Sequence, residues 1–433
     1  MTTQNTIINS PFRDLLIVDI GGTVASGYAG KLFADYGARV VNLEPSQGFS
    51  TRRIEPLLNN GNSAIHAYLH ANKESVCCDD LLTGHPAIAA ADLVLMDITT
   101  LPLSLSKDDF DVNVCAISWY GLNGPYADFN GSDASIYALT GLMQGVGESQ
   151  GPPIIPTGYQ TQIVGGLSAF NGAAGYLLGQ HLKGDDKPTA FCLDASIWEA
   201  NMCLTDIGAA MSFNQEPLPQ RMGINRFAPT YPLGIWPCKD GWLGVTVLNP
   251  AQWFAFCELL GLDDFAAESK YQNSMARLED VELLEPRILE ALSQQSAEDL
   301  FYRGQSMRIP LARVPTMEEL LTVDQYVQRQ AFSEYSCEGE TFQAPSCPFR
   351  LLETPPLYGG DTANLGADNQ GWDTESVSTK DSLDTSRSGS KEEEDSSIPQ
   401  GPLEGITIVD LSMGWAGPLA TRNLADLGAT IIK

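Results

Sequence analysis

Nowhere in the 433 residues is there an apolar run of 18 or more, the length a helix needs to cross a bilayer. The first residues, MTTQNTIINSPFRD, carry neither a basic n-region nor an apolar h-region, so the chain reads as a soluble, cytoplasmic protein without an export signal. CxxC pairs are missing as well. The nine cysteines (Cys77, Cys78, Cys115, Cys192, Cys203, Cys238, Cys257, Cys337 and Cys347) sit mostly in apolar segments, and only four histidines accompany them. That pattern points to reduced thiols and to no metal. Basic residues are scarce: 25 Lys and Arg stand against 54 Asp and Glu, a formal charge of −29. Such a surface repels nucleic acid and anionic membranes, and an anionic ligand would need local basic groups or helix N-termini.

What the chain does have is alternation of strand and helix patterns. LLIVDI (15–20) is an apolar run, GGTVASG a turn of small residues, YAGKLFADYG an amphipathic stretch closed by Gly37, and RVVNLE (39–44) a second apolar run. That order predicts a βαβ unit of a parallel sheet. ESVCCD, ADLVLMDI and NVCAISWY extend the sheet, and helical patterns cover Asp133 to Met143, Thr161 to Leu182 and Ala195 to Phe213. Short strands (TYPLGIWPC, GWLGVTVL) and polar helices fill about 228–345. The fold class is α/β: a Rossmann-like, doubly wound large lobe (about 1–225 and 345–360) and a smaller α+β lobe (about 228–345).

From 361 to 400 aliphatic and aromatic residues nearly vanish, and the stretch from Gly371 to Gln400 carries eight acids against Lys380, Arg387 and Lys391. Such a segment cannot offset its ordering entropy and is expected to be a disordered acidic linker. Beyond it the chain begins again. Pro11, Ile17, Val18, Asp19, Ala34, Asp35, Gly37 and Ala38 recur without gaps as Pro402, Ile408, Val409, Asp410, Ala425, Asp426, Gly428 and Ala429, an offset of 391 (402 minus 11). Solenoid repeats have far shorter periods, so this reads as a duplicated domain. Residues 401–433 would be its truncated start.

IVDLSMGWAGPLATRNLADLGATIIK closely resembles the N-terminal signature of the class III CoA-transferases (CaiB/BaiF type), which include formyl-CoA and carnitine CoA-transferases and the 2-methylacyl-CoA racemases. The first copy carries further family segments over nearly all of 11–356, among them SWYGLNGPYADFNGSDASIYALTGLM, GPPIIPTGYQTQIVGGLSAFNGAAGYLLG and LARVPTMEELLTVDQYVQRQAF. The resemblance implies two copies interlocked like links of a chain, coenzyme A or acyl-CoA as substrate, and an Asp shortly after the GPP segment. That carboxylate attacks the acyl-CoA to give a mixed anhydride and then an aspartyl-CoA thioester.

Here the chain departs from the pattern. Aligning the family's Asp-containing stretch on Ile163 to Leu167 puts Gln162 where the Asp belongs, and no acid lies between Glu148 and Asp185. An amide cannot form the anhydride, so no catalytic residue is expected in this copy. By resemblance the CoA contacts fall on Val24 and Ala25, on Leu69, His70, Ala71, Asn72 and Lys73, on Asp97 and Ile98, and on Tyr120 and Gly121. Pro45 stands where some members carry a phosphate-binding Arg, and Asp97 where they have Asn. The racemase motif Gly-His-Asp reads Gly131-Ser132-Asp133, which removes its acid/base group. Gly147-Glu148-Ser149-Gln150-Gly151 matches GxSxG, but Pro152-Pro153 forbids the helix a nucleophile elbow requires. The tandem arrangement resembles the fused dimethylsulfoniopropionate CoA-transferase/lyases, in which one chain supplies both links and dimethyl sulfide is released. Trp415, the counterpart of Val24, is then a candidate substrate contact. The alternatives are a non-catalytic CoA-binding or scaffold domain, and a transferase for carnitine or another acid.

Overall fold

A computed structural model describes residues 10–79, 84–98, 111–184, 189–205, 221–372 and 401–433. They fall into two compact units, one built from 1–136, 157–203 and 330–433, the other from 137–156 and 204–329.

The first unit is organised by β1 (Leu16–Asp19), β2 (Arg39–Glu44), β3 (Glu74–Cys77), β4 (Leu93–Asp97), β5 (Val114–Ser118) and β6 (Cys192–Ser196), all parallel, in the order β3-β2-β1-β4-β5-β6. Buried β-branched and aliphatic residues dominate β1, β4 and β5, as a sheet covered on both faces requires. Helix α1 (Val24–Asp35) joins β1 to β2 and is buried along its whole length. Thr23 and Ser26 form a capping box at its start, each accepting from the other's backbone. Helix α2 (Ala64–His70) leads to β3, and α3 (Asp133–Thr140) precedes α4 (Gln160–Lys183). After β6 comes α5 (Ile197–Met202), so Ala195 is strand and the helix expected from there begins two residues later; Ser196 caps it through the Glu199 N–H.

In the second unit β7 (Leu233–Cys238), β8 (Gly241–Thr246) and β9 (Leu311–Arg313) form an antiparallel sheet. Helix α6 (Pro250–Leu260) has the expected punctuation: Asn249 caps it, Pro250 opens it, and Gly261, at φ 69°, closes it. Helix α7 (Val281–Ser293) buries Val281, Leu284, Ile288 and Leu292, a 3.6-residue stripe. Helices α8 (Ala297–Ser306) and α9 (Asp324–Gln328) follow.

The chain then returns to the first unit, earlier than the sequence suggested. Strands β10 (Phe332–Cys337) and β11 (Glu340–Pro345), expected in the small lobe, join β12 (Gly360–Thr362) in a sheet bridged to Ala71. The segment expected to be linker from 361 is ordered as far as Trp372. The Asp361 carbonyl accepts from Asn72 N–H, Thr362 donates to the Ala67 carbonyl, Asp368 accepts from Ser75 N–H, and Trp372 is buried with its indole N–H on Glu74. Residues 373–400 lie outside the described residues.

The last stretch forms β13 (Thr407–Val409), α10 (Ala416–Asp426) and β14 (Thr430–Ile432). Its register repeats the start of the chain. Leu16 pairs with Arg39 and Thr407 with Thr430; Ile17 pairs with Val40 and Ile408 with Ile431. Asp19 accepts from Gly21 N–H at 2.9 Å, and Asp410 from Ser412 N–H at 2.8 Å. Gly37 and Gly428 both turn the chain with left-handed φ, 94° and 99°. A Cβ at Gly37 would lie 2.2 Å from that of Ser10, and one at Gly428 would lie 2.7 Å from the Gly401 Cα. Gly37→Ala and Gly428→Ala should therefore each strain the same turn, at about 2 kcal/mol. Chemical denaturation of the first variant and limited proteolysis of 401–433 in the second check this.

Candidate active site

In a sheet of order 3-2-1-4-5-6 the chain reverses direction about β1, and the crevice at the carboxyl ends of β1 and β4 is where such folds place ligands. Asp19 ends β1 and Asp97 ends β4. Between them the Gly21-Gly22 turn leads into α1. A Cβ at Gly21 would sit 2.5 Å from the Ser26 hydroxyl and 3.0 Å from Asp97 N, which explains the small residue there. Thr23 donates to Asp97 at 2.7 Å, and beyond β5 Gly121 donates its N–H to Ser118 at 2.8 Å. Val24, Ala25, Asp97, Ile98, Tyr120 and Gly121 thus gather at the ends of three neighbouring strands. All but Ile98 are buried.

Residues 69–73 behave differently. Leu69, His70, Ala71 and Lys73 are buried, and the polar ends of His70 and Lys73 are turned under α1, where Gly27 and Gly30 leave room for them. Lys73 Nζ donates to the Gly27 carbonyl at 2.9 Å and lies 3.7 Å from Asp19 Oδ2. Asn72, in the left-handed region, is committed to the start of β12 through its side-chain amide, which donates to the Gly359 carbonyl, and its N–H, which donates to the Asp361 carbonyl. His66 and His70 stack at 4.4 Å between centroids, and Thr51 lies 2.9 Å from His66 Nδ1 and 3.4 Å from His70 Nε2.

Burial dominates the electrostatics. It lowers His66 to about 3, with Arg52 adding to the effect, and His70 well below its usual range, with Lys73 and His66 contributing. It lowers Lys73 to about 8 against the pull of Asp19, and it raises Asp19 against the pull of Lys73. Near Pro45 the cation is Arg52, but both arms of its guanidinium are taken by Glu44 at 2.6 and 2.7 Å. Burial would raise Glu44; hydrogen bonds and charge from Arg52 outweigh it and lower the carboxyl instead.

Gln162 lies in the first turn of α4, buried. One turn later a Cβ at Gly166 would come within 2.5 Å of the Ala25 carbonyl, so the second turn of α4 is packed beside the start of α1. The Gln162 amide is not alone there. Asp133, at the start of α3, accepts from the Thr161 N–H at 2.9 Å, the Thr161 hydroxyl at 2.6 Å, the Gln162 N–H at 3.4 Å and Gln162 Nε2 at 2.9 Å. A carboxylate from a distant part of the chain therefore serves as the cap of α4 and faces position 162. Sequence reasoning read Gly131-Ser132-Asp133 only for its missing His. The available signal was the Ser-Asp pair opening a helix, where Ser132 accepts from the Ser135 N–H.

A family model described as CoA-transferase family III matches residues 12–94, 103–369 and 403–433. The chain belongs to this family. Similar proteins include the succinate–glutarate CoA-transferase of Agrobacterium fabrum, 25% identical over 386 residues, covering 82% of this chain and 93% of the relative. The human succinyl-CoA:glutarate CoA-transferase is 23% identical over 380 residues, covering 82% and 85%. A probable CoA-transferase of Mycobacterium tuberculosis is 24% identical over 423 residues; that match takes in 93% of this chain but 51% of the relative. Among solved structures, a CaiB/BaiF family protein from Brucella suis superposes with a TM-score of 0.72 at 20% identity, covering 85% of this chain and all of that one. A family III CoA-transferase works on a CoA thioester and an acid. Among the described residues no group of three or more His, Cys, Asp or Glu could hold a metal ion, no helix is long and apolar enough to cross a membrane, and no cysteine is in a disulfide.

Proposed function

We propose that this chain is the N-terminal part of a two-copy CoA-transferase that moves CoA from an acyl-CoA to a carboxylic acid through an aspartyl-CoA thioester, and that its first copy lacks the nucleophile. Gln162 carries this reading: the position in the first turn of α4 holds an amide, turned by its Nε2 toward Asp133. The family's chemistry needs a carboxylate oxygen to displace the CoA thiolate from the thioester, and the thiolate then to displace the acid from the anhydride. The aspartate doing this belongs, in our reading, to the matching position of the second copy. Three observations support a second copy: the family match at 403–433, the repeated register of β13 and β14, and the mycobacterial relative of which the chain spans about half. Val24, Ala25, Asp97, Ile98, Tyr120 and Gly121 are proposed as CoA contacts, with 69–73 supporting them from beneath.

For the acceptor we propose dimethylsulfoniopropionate. After CoA transfer, loss of a proton α to the thioester carbonyl and departure of dimethyl sulfide from the β-carbon leave an acryloyl thioester. Trp415, 47% exposed at the start of α10, would hold the sulfonium by cation–π attraction. Trp415→Leu in the longer enzyme should weaken affinity for the cationic acid about 2- to 30-fold, and unchanged affinity counts against this acceptor.

A second reading, that the first copy is a scaffold or CoA-binding module, is favoured by the way Thr23, Ser26 and Asp97 already satisfy the start of α1. A transfer assay with and without the residues of the second copy beyond Lys433 tests the proposal. Activity is expected only with them, and transfer by residues 1–433 alone would overturn it.

A further inference from the structure

The unit made of 137–156 and 204–329 contains a half-enclosed cavity of about 620 Å³ between α8, β9 and the 315–328 arm. It is a size that suits a small organic ligand. Its wall is chemically uneven. Phe301 and Tyr302 of α8 line it, with ring centroids 5.0 Å apart and planes tilted by 52°, and Tyr326 of α9 adds another ring. Glu298 and Asp324, each in the first turn of its helix, line it as well, and neither forms an ion pair with a described cation. Arg313 also reaches the cavity, but its Nη1 lies 3.0 Å from Glu319 Oε2, and the same oxygen accepts the Thr316 N–H at 2.8 Å. The guanidinium is thus already neutralised, and the uncompensated charge in the wall is negative.

The geometry points to a binding site for a small organic monocation with an apolar body, such as a quaternary ammonium or sulfonium head group. Carboxylates attract the charge, and aromatic faces hold alkylated onium groups that a hydrated inorganic ion would leave unfilled. An anion meets Glu298 and Asp324, and a neutral molecule of the same shape forgoes both attractions. The site uses none of the residues proposed for CoA transfer, so it stands or falls separately from that function.

The test is calorimetric titration of the chain with choline and with 3,3-dimethylbutan-1-ol, its neutral isostere. Choline should bind saturably and the isostere about ten-fold or more weakly. Tyr302→Ala and Tyr326→Ala should each weaken choline about ten-fold, and Glu298→Gln with Asp324→Asn about three- to ten-fold, with the circular dichroism of each variant matching the native chain. Equal binding of the isostere, unchanged affinity in the tyrosine variants, or no saturable choline binding up to about 50 mM would each overturn the assignment.

Discussion

Lys73→Met is expected to destabilise the protein by about 3–5 kcal/mol, because it strips a buried carboxylate of its charge partner. Asp19 and Lys73 are both fully buried, 3.7 Å apart, and Asp19 Oδ2 has no hydrogen bond of its own. The Asp19 carboxyl is raised by burial and drawn back chiefly by Lys73, so without the lysine it must either stay charged in an apolar setting or take up a proton. Lys73 also donates to the Gly27 carbonyl, tying the turn before β3 to the first turn of α1. Urea unfolding of Lys73→Met, and of Lys73→Met with Asp19→Asn, checks the cause. The double variant should recover part of the loss, because it no longer buries an unpaired charge.

Acidification should be the second large effect. His66 and His70 have folded-state values depressed by burial, so the unfolded chain takes up protons first as the pH falls below about 6.5. Their contribution is fully present above that value and is lost progressively toward the folded value of His66, about 3. A depressed group contributes a slope of about 1.4 kcal/mol per pH unit, so His66 alone should remove about 2 kcal/mol by pH 5, and His70 adds to the loss. The buried pair has little means of escape: the rings stack on each other, and His66 Nε2 has no hydrogen-bond partner. Unfolding free energy measured from pH 7.5 to 4.5 should fall steeply for the native chain and more gently for His66→Gln with His70→Gln. Parallel profiles would remove the two histidines as the cause.

The βαβ opening of the chain was legible in its residues because every level agreed there: an apolar run, a small-residue turn, a capped amphipathic segment and a glycine that only a left-handed turn explains. Its recurrence at 401–433 was legible for the same reason, down to Asp410 repeating the turn of Asp19. Polar tertiary contacts were not. Asp133 reaches Thr161 and Gln162 across 28 and 29 residues, and no local pattern announces such a bond. Lys73, placed among the CoA contacts by resemblance, is buried beside Asp19 and the Gly27 carbonyl. Composition also placed the linker too early. Between Asp361 and Trp372 few residues are apolar, yet hydrogen bonds to α2, the turn after it and β3, with one buried tryptophan, hold the segment in place.

Under the proposed function, the amide at position 162 leaves residues 1–433 unable to hold CoA covalently. Intact-mass measurement after incubation with acetyl-CoA and rapid acid quench tests it directly. No CoA adduct is expected on the native chain, and an adduct is expected at position 162 in Gln162→Asp. A covalent adduct on the native chain would contradict it, whichever residue carried the label.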